Sequence, residues 1–252
     1  GDIADGLKDI AKFLDVVQYY KSKGTLKYWA MENIPRVSGI LENEIQLGGQ
    51  LEKYAHLVKE NHVFNCANYG LPQRRKRMIA GDFPIKNLNN YKDQFIAPTL
   101  GQVMNSFKSD TIVDINYGIK IQKSQLTDHD QEIPLTSEER RINEAQKKYH
   151  TVYNKMNFPE DLSTTARTMT ATCTRVSRES VVVNAGKDDV RRLSIRERAT
   201  LQGFPITYQF YGKSYSNRIK MIGNAIPPLL TYFIASAMLG KELKEVNPRK
   251  KL

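Results

Sequence analysis

Three short apolar runs near the N-terminus constrain the fold more than any other feature of the sequence. They read LKYWAM, which ends at Met31, HVFNC, and KRMIAG, which ends at Gly81. Apolar residues at helical spacing occupy residues 7–23 before the first run and residues 47–60 between the first and the second. A strand, a helix, a second strand and a close return strand are typical of an α/β sheet. We therefore predict part of such a sheet.

The composition changes between about residue 85 and residue 190. Short apolar runs alternate there with Asn, Ser, Thr and Gly, as in TIVDINYGIKI and TTARTMTATCTRVSRESVVVNAG. Only residues 136–149 have a helical pattern, with Thr136 and Glu139 spaced as a capping box. We predict a separate lobe that is irregular or β-rich. Its hydroxyl groups and arginines suit contact with phosphates and base edges.

Strong helix signals return in the last sixty or so residues. LSIRERATLQGFP places Ser194 at an N-cap position with Glu197 three residues later, before a Gly and a Pro that end the helix. PPLLTYFIASAMLG begins with two prolines and ends on Gly240, and its apolar positions repeat at helical spacing. This second segment is expected to pack in a core.

The chain carries a large positive charge. Its 38 Lys and Arg residues against 27 Asp and Glu give a net charge of +11 and a pI of about 9.5. A field of that sign concentrates polyanions, which makes nucleic acid a natural partner, although solubility alone also accounts for it.

Cysteine usage and hydropathy indicate the cellular location. Cys66 and Cys173 are the two cysteines, and they provide neither a disulfide framework nor metal-ligand spacing. We predict no metal site and a reducing, intracellular location, cytoplasmic or nucleoid-associated if the source is bacterial or a phage. No apolar run approaches the roughly 20 residues that span a bilayer, and no signal-peptide pattern begins the chain. We therefore expect no membrane partner.

Glu32 and Asn33 directly follow the first predicted strand. In open α/β sheets, ligands bind beyond the carboxyl ends of strands. A carboxyl group there can accept a hydrogen bond from an exocyclic amine and, when protonated, donate to a ring nitrogen, which matches the edge of cytosine. The alternative is that these side chains only cap a turn.

A basic run, Gln73 to Arg77, precedes the third predicted strand. If this run is extended, Gln73, Arg75 and Arg77 share one face. An arginine on that face can hold a carbonyl oxygen or a phosphate through its fork of donors. The alternatives are a solvated edge strand and a localisation patch.

A Gly-Asn turn lies within MIGNAIPP, immediately before the last helix. Its free backbone N–H groups and the amide of Asn224 can hold a carboxylate or a phosphate of a small ligand. The alternative is a plain helix-entry turn.

These motifs together resemble those of the cytosine-C5 DNA methyltransferase family. MENIPRV resembles its Glu-Asn-Val motif, and ANYGLPQRRKRMIAGDFP resembles its Asp-Tyr-Gly-x-Pro-Gln-x-Arg-x-Arg motif, with Asn68 in place of the usual Asp. RRLSIRERATLQGFP resembles its Arg-Glu-x-x-x-Leu-Gln-Gly-Phe-Pro motif, and IGNAIPP its terminal Gly-Asn-Ala-Val-Pro-Pro motif. TARTMTAT resembles the Thr-rich signature of the family's target-recognition domain.

The resemblance implies a DNA (cytosine-5-)-methyltransferase of a restriction-modification type. Such an enzyme transfers a methyl group from S-adenosyl-L-methionine to C5 of a flipped cytosine in a specific sequence of double-stranded DNA. The implied fold is α/β, with part of a Rossmann-like methyltransferase sheet and a smaller, irregular β-rich target-recognition domain. The implied domains are residues 1–84 and 191–252 for the catalytic part and residues 85–190 for target recognition.

The resemblance also implies roles for individual residues. Glu32, with Asn33 beside it, would bond the ring nitrogen and amine of the flipped cytosine, and Arg77 would hold the base carbonyl. Gln73 and Arg75 would order the pocket or a neighbouring phosphate.

Two further sets of residues follow from the same resemblance. The turn Gly223, Asn224 and Ala225 would line the S-adenosylmethionine site. DNA would be contacted by the recognition-domain residues Arg167, Thr168, Thr170, Arg175 and Arg178.

The family's mechanism further implies a cysteine thiolate, in a Pro-Cys dipeptide before the Glu-Asn motif, and a Gly-rich turn for the methyl donor. This chain has neither, and only 31 residues precede Glu32. We therefore expect the C-terminal portion of such an enzyme, either truncated or paired with a complementary N-terminal subunit, and inactive alone. The alternative is a non-catalytic DNA-specificity subunit of a split methyltransferase. Cys66 is expected to be a buried small residue.

Overall fold

The computed structural model describes residues 3–129, 132–186 and 189–249, and these form two compact units. The first unit comprises the described residues up to Asn65, together with Lys76–Lys92 and Phe233–Val246. The second comprises Cys66–Arg75, Asp93–Tyr232 and the described residues from Asn247. The predicted division at residues 84 and 190 stays a prediction, and residues 1–2 and 250–252 of its outer segments lie outside the described residues.

The helices and strands are numbered in chain order. The helices are α1 (Ile3–Ser22), α2 (Arg36–Glu44), α3 (Ile85–Tyr91), α4 (Leu100–Ser106), α5 (Ser137–Lys148), α6 (Ile195–Leu201), α7 (Tyr215–Asn224) and α8 (Pro228–Met238). The strands are β1 (Trp29–Asn33), β2 (Glu60–Asn65), β3 (Gln73–Arg74), β4 (Lys76–Asp82), β5 (Thr111–Val113), β6 (Lys120–Gln122), β7 (Ala166–Arg167), β8 (Val182–Gly186) and β9 (Asp189–Arg192).

The first unit is built on a three-stranded sheet in the order β1-β4-β2. Strand β4 is antiparallel to both neighbours, so the two outer strands run in the same direction with the return strand between them. The sheet contains the three predicted strands, and the chain is of the α/β class. Strand β1 continues to Asn33, which pairs with Met78, so Glu32 and Asn33 lie within the strand and not after it as predicted.

The predicted helix over residues 47–60 is wrong. Turns fill most of this stretch, with a single 3-10 turn at Glu52–Tyr54. Gly48 has a φ of +85°, and a Cβ on Gly49 would lie 2.3 Å from the carbonyl oxygen of Glu44, so the chain bends where a helix would have to begin. Leu51 and Tyr54 are buried as expected, because a three-residue spacing also suits successive tight turns.

Helix prediction in the other segments was correct in part. Helix α5 begins at the predicted Thr136 cap, and α6 begins at the Ser194 capping box, where both reciprocal bonds are present. Four helices were not predicted, namely α2, α3, α4 and α7. Of these, α3 and α4 are seven residues long, which is too short for apolar periodicity to reveal.

Each unit has its own apolar core. In the first unit, Leu7, Leu14 and Val17 of α1 pack with Trp29 and Met78 of the sheet. In the second unit, the core joins several short elements through Val103, Ile112, Met169, Val183, Leu193 and Leu201.

One helical segment of the described residues, Tyr215–Met238, is by length and composition long and apolar enough to cross a membrane. Half of its most apolar stretch is buried inside the protein, and the core helix of a soluble protein can have the same length and composition.

Candidate functional site

A carboxylate and a guanidinium meet on one face of the sheet of the first unit. Glu32 of β1 pairs with Ile79 of β4, which makes Arg77 its diagonal neighbour on the same face. A diagonal pair in an antiparallel ladder is within reach of long side chains. Nε of Arg77 lies 2.8 Å from Oε1 of Glu32, and the two side chains are 13% and 26% exposed. The pair is partly shielded from water, which strengthens the charge-assisted bond.

The neighbouring polar groups hold this pair in place. Nη1 of Arg77 donates to the carbonyl of Lys76 at 2.7 Å, which orients the guanidinium along its own strand. The side-chain oxygen of Asn33 accepts from the backbone N–H of Ile34 at 2.8 Å. Asn33 therefore stabilises the turn that leads from β1 into α2. Of the predicted site residues on this sheet, the structure brings Glu32 and Arg77 into direct contact.

The basic run is not one continuous strand. Strand β3 ends at Arg74, Arg75 donates its backbone N–H to Gln73 in a tight turn, and β4 begins at Lys76. Burial still alternates, because Gln73 and Arg75 are 0% and 1% exposed while Arg74 and Lys76 are exposed. Gln73 and Arg75 are thus buried on one side as predicted, although the strand is interrupted between them and β4.

Arg75 and Gln73 bind backbone groups of the second unit. The guanidinium of Arg75 donates to the carbonyls of Met169 at 2.9 Å, Gly223 at 2.7 Å and Ala225 at 3.2 Å. Gln73 donates to the side chain of Gln202 at 2.8 Å and accepts from the N–H of Met169 at 2.7 Å.

The Gly-Asn turn belongs to the same hydrogen-bond network. The carbonyl of Ala225 also accepts from Gln202 at 2.8 Å. A Cβ on Gly223 would lie 2.3 Å from the backbone of Ala171, so only glycine permits this close approach to the Thr-rich segment. Four of the quoted motifs therefore meet in one buried cluster of the second unit.

Of the three residues predicted to line the S-adenosylmethionine site, only Asn224 has its polar group exposed. The carbonyls of Gly223 and Ala225 are directed to Arg75 and Gln202, so they are not open to a ligand. Asn224 is the last residue of α7 and is exposed, which leaves its amide as the polar group of the turn that fits a carboxylate or an amine.

The arginines predicted to contact DNA are engaged with protein groups. Arg167 lies 2.6 Å from Glu160 and donates to the carbonyl of Ser180. Arg175 binds Glu139 through Nε and Nη2, and this hydrogen bonding lowers the pKa of Glu139 to about 2. These two arginines stabilise the second unit through ion pairs and hydrogen bonds. Their binding of DNA stays a prediction.

The other predicted contacts are also held locally. Arg178 donates to Met156 and to the carbonyl of Asn154. The hydroxyl of Thr168 donates to the carbonyl of Arg74 at 3.1 Å, and that of Thr170 donates to the carbonyl of Thr172 at 2.9 Å.

Both cysteines lie in the second unit. Cys66 is 1% exposed, and Sγ of Cys173 accepts a hydrogen bond from Arg198 at 3.0 Å. Arg198 is itself buried and also donates to the hydroxyl of Tyr215. Sequence reasoning missed this arginine, although its position inside a capped helix beside Glu197 was the available signal. Among the described residues, no group of His, Cys, Asp and Glu is arranged to hold a metal ion.

Comparison with models of protein families shows which family the chain belongs to. The model of the family described as C-5 cytosine-specific DNA methylase matches residues 6–240. The chain belongs to this family. Its α/β sheet, its Glu32–Arg77 pair and its motif cluster are therefore features of a member of this family.

Curated relatives of this chain include Type II methyltransferases. M.FnuDI of Fusobacterium nucleatum is 29% identical over 196 residues, which cover 73% of this chain and 54% of that protein. M1.HphI of Haemophilus parahaemolyticus is 27% identical over 248 residues, which cover 87% of this chain and 58% of that protein. The chain thus spans between half and two thirds of the length of these relatives.

Solved structures share the fold at low sequence identity. The Dnmt2 methyltransferase of S. pombe has a TM-score of 0.56 at 12% identity, over 84% of this chain and 67% of that chain. The methyltransferase EhMeth of Entamoeba histolytica has a TM-score of 0.50 at 11% identity, over 85% and 62%. At these identities the likeness shows the α/β fold alone.

Proposed function

We propose that the protein acts as a DNA (cytosine-5-)-methyltransferase and that its Glu32–Arg77 pair binds the target cytosine. The single observation that carries the proposal is the 2.8 Å bond between Nε of Arg77 and Oε1 of Glu32 on one face of the sheet. Family membership over residues 6–240 supports the reaction class. The relatives' names support a restriction-modification setting.

The pair is complementary to one edge of cytosine. That edge presents a carbonyl oxygen, a ring nitrogen and an amino group in a row, which are two acceptors and one donor. The guanidinium of Arg77 suits the carbonyl, and a protonated carboxyl of Glu32 donates to the ring nitrogen while its other oxygen accepts from the amine. Donating a proton to the ring stabilises the charge that develops there and makes C6 a better electrophile.

The attacking thiolate is proposed to come from neither cysteine of this sequence. Burial of Cys66 denies a flipped base access to its sulfur, and Cys173 is held by Arg198. A nucleophile must approach its target atom within about 3–3.5 Å, which a buried side chain does not allow.

S-adenosyl-L-methionine is proposed as the methyl donor, and it supplies the methyl group for C5. Within this chain, the amide of exposed Asn224 would bind it, while Gly223 and Ala225 shape the turn. Gln73 and Arg75 would hold that turn against the Thr-rich segment through their bonds to backbone groups. Double-stranded DNA is the proposed partner, with a complementary subunit as a further one, inside the cell.

Replacement of Glu32 by Gln in the cells that encode the protein tests the proposal. Bisulfite sequencing of their DNA is expected to show the loss of a sequence-specific set of 5-methylcytosines. Affinity of the purified variant for DNA should change little, because Gln keeps the size of the side chain.

The same experiment separates catalysis from a purely DNA-binding role. Methylation that survives Glu32→Gln contradicts the proposed pocket and favours a non-catalytic specificity subunit. A matched control is Glu42→Gln, because Glu42 is an exposed carboxylate in α2 of the same unit that accepts a hydrogen bond from Asn61.

A further inference from the structure

The second unit contains a cavity of about 560 Å³ to which the proposed function gives no role. Its lining comes from α4, from the two strands β8 and β9, and from the first turn of α6. Cavities that bind small molecules in proteins typically have volumes of about 300–1,000 Å³. The size of this cavity therefore suits a small ligand.

Two lysines bring positive charge to the cavity. Nζ of Lys123 donates to the carbonyl of Phe107 at 3.1 Å, which holds the ammonium group at the cavity wall. Lys108 also lines the cavity, and among the described residues neither lysine forms an ion pair with a carboxylate. Asp110 is close to Lys108 in sequence, but it is exposed and does not line the cavity.

The nearby carboxylates are already bound to other groups. Glu197 lines the cavity, and Arg191 donates to both of its carboxylate oxygens at 2.8 Å. Asp128 is fully buried, lies 3.7 Å from Arg196, and accepts from the backbone N–H of Phe210. The described lining therefore keeps the positive charge of its two lysines.

His129 adds a hydrogen-bond donor to the same cavity. Its Nδ1 lies 3.0 Å from Oγ of Ser194, whose hydroxyl has no other acceptor among the described residues and so donates to this nitrogen. Burial lowers the pKa of His129 from its usual 6.5; Glu197 opposes this, whereas Lys123 lowers the pKa further. The ring is therefore neutral at pH 7 and carries its proton on Nε2.

Part of the cavity wall is apolar. The rings of Phe107 and His129 are stacked, with centroids 4.8 Å apart and an angle of 24° between their planes. Met104 and Leu162 also line the cavity. An inorganic anion would leave these side chains uncovered, whereas an organic group attached to the anion would cover them.

We infer that this cavity binds a small organic phosphate monoester. Its phosphate accepts from Lys108, from Lys123 and from the Nε2–H of His129, because phosphate oxygens form their strongest hydrogen bonds with charged donors. A phosphate monoester carries nearly two negative charges at pH 7, which matches the two lysines. Its organic group packs against Met104 and Leu162. The inference does not rest on the proposed function, because the ligand is neither DNA nor the methyl donor.

Isothermal titration calorimetry of the purified protein with phenyl phosphate and with inorganic phosphate tests the inference. Phenyl phosphate is expected to bind at one site, and inorganic phosphate roughly tenfold more weakly, because it buries no apolar surface. Lys123→Gln and His129→Phe should each weaken the binding of phenyl phosphate roughly tenfold, through the loss of one donor to an anion. Lys108→Gln changes an exposed side chain, so its similar loss is measured in a protein whose fold is undisturbed.

The matched control is Lys120→Gln, because Lys120 is an exposed residue of β6 that does not line the cavity. It removes the same charge, so a loss of affinity equal to that of Lys123→Gln would overturn the site. Wild-type affinity in the cavity variants would do the same, as would a wild-type protein that binds neither phosphate.

Two further outcomes concern the identity of the ligand. Equal affinity of the wild type for the two phosphates would contradict an organic ligand. A short DNA duplex is expected to leave phenyl phosphate bound, and displacement by the duplex would overturn the inference by assigning the lysines to DNA. None of these results bears on methylation, which the Glu32→Gln experiment tests separately.

Discussion

The guanidinium of Arg75 donates a 2.7 Å hydrogen bond to the backbone carbonyl of Gly223, which lies 148 residues further along the chain. Two motifs that are far apart in sequence are thereby joined inside the second unit. Three backbone carbonyls accept from Arg75, and its removal takes this charged donor from those of Met169 and Gly223, whereas that of Ala225 keeps its bond from Gln202.

Arg75→Met is therefore expected to lower the free energy of unfolding by about 3 kcal/mol, because buried carbonyls lose a charged donor. Urea denaturation followed by circular dichroism measures the change. The neighbouring Arg74→Met serves as control, since Arg74 is exposed, and its effect should stay within about 0.5 kcal/mol. Equal effects of the two substitutions would show that Arg75 does not organise the cluster.

Gly223→Ala is expected to destabilise the second unit by about 2–3 kcal/mol. Its Cβ would lie 2.3 Å from the backbone of Ala171, and backbone cannot move aside as a flexible side chain can. Gly39 in α2 provides the opposite case, because no atom lies within 4 Å of its Cβ position. Gly39→Ala should stabilise the protein by about 0.5–1 kcal/mol through helix propensity. Calorimetry would contradict this account if both variants melted at the wild-type temperature.

Lys147 predicts an unusual dependence of stability on pH. It is fully buried beneath the loop 148–155, and burial lowers the pKa of its ammonium from 10.5 to about 8. Between about pH 8 and pH 10.5 the unfolded chain holds this proton while the folded protein releases it, so the stability contributed by Lys147 rises with pH.

Between those pH values, the free energy of unfolding of the wild type should rise by about 3 kcal/mol relative to that of Lys147→Met. Other titrating groups are common to both proteins, so their contributions cancel in this difference. Denaturation curves at a series of pH values test this. Lys148→Met is the control, because Glu144 raises the pKa of Lys148 and this neighbour should not reproduce the gain. A pH-independent difference between the wild type and Lys147→Met would refute it.

Cys66→Ala and Cys173→Ala are expected to leave DNA methylation nearly intact in cells, as judged by bisulfite sequencing. Cys66→Ala should cost about 1–2 kcal/mol of stability, because it removes a buried sulfur. Loss of methylation from a variant that remains folded would identify that cysteine as the nucleophile and overturn the assignment above.

The sequence predicted the sheet of the first unit well, since each of its strands is a short apolar run bounded by polar residues. It also predicted α5 and α6, because their Thr136 and Ser194 capping boxes are local signals. The turns at residues 47–60 escaped prediction because a close backbone approach at Gly49, and not periodicity, decides the conformation there.

Part of the candidate site could also be predicted from the sequence. Glu32 and Arg77 could be proposed from their motifs, but their pairing depends on the register of β1 against β4, which no local pattern records. The burial of Arg75 and the ion pair of Arg175 with Glu139 were not predictable, since arginine is usually exposed and the partners here are distant in sequence.

The single backbone hydrogen bond from Met156 to Lys147 has a practical consequence for protein engineering. It brings the two ends of the loop 148–155 together on the body of the second unit, so the intervening residues can be exchanged without re-routing the chain on either side. Loop transplants of different length and sequence at this point should therefore leave the fold of the second unit intact.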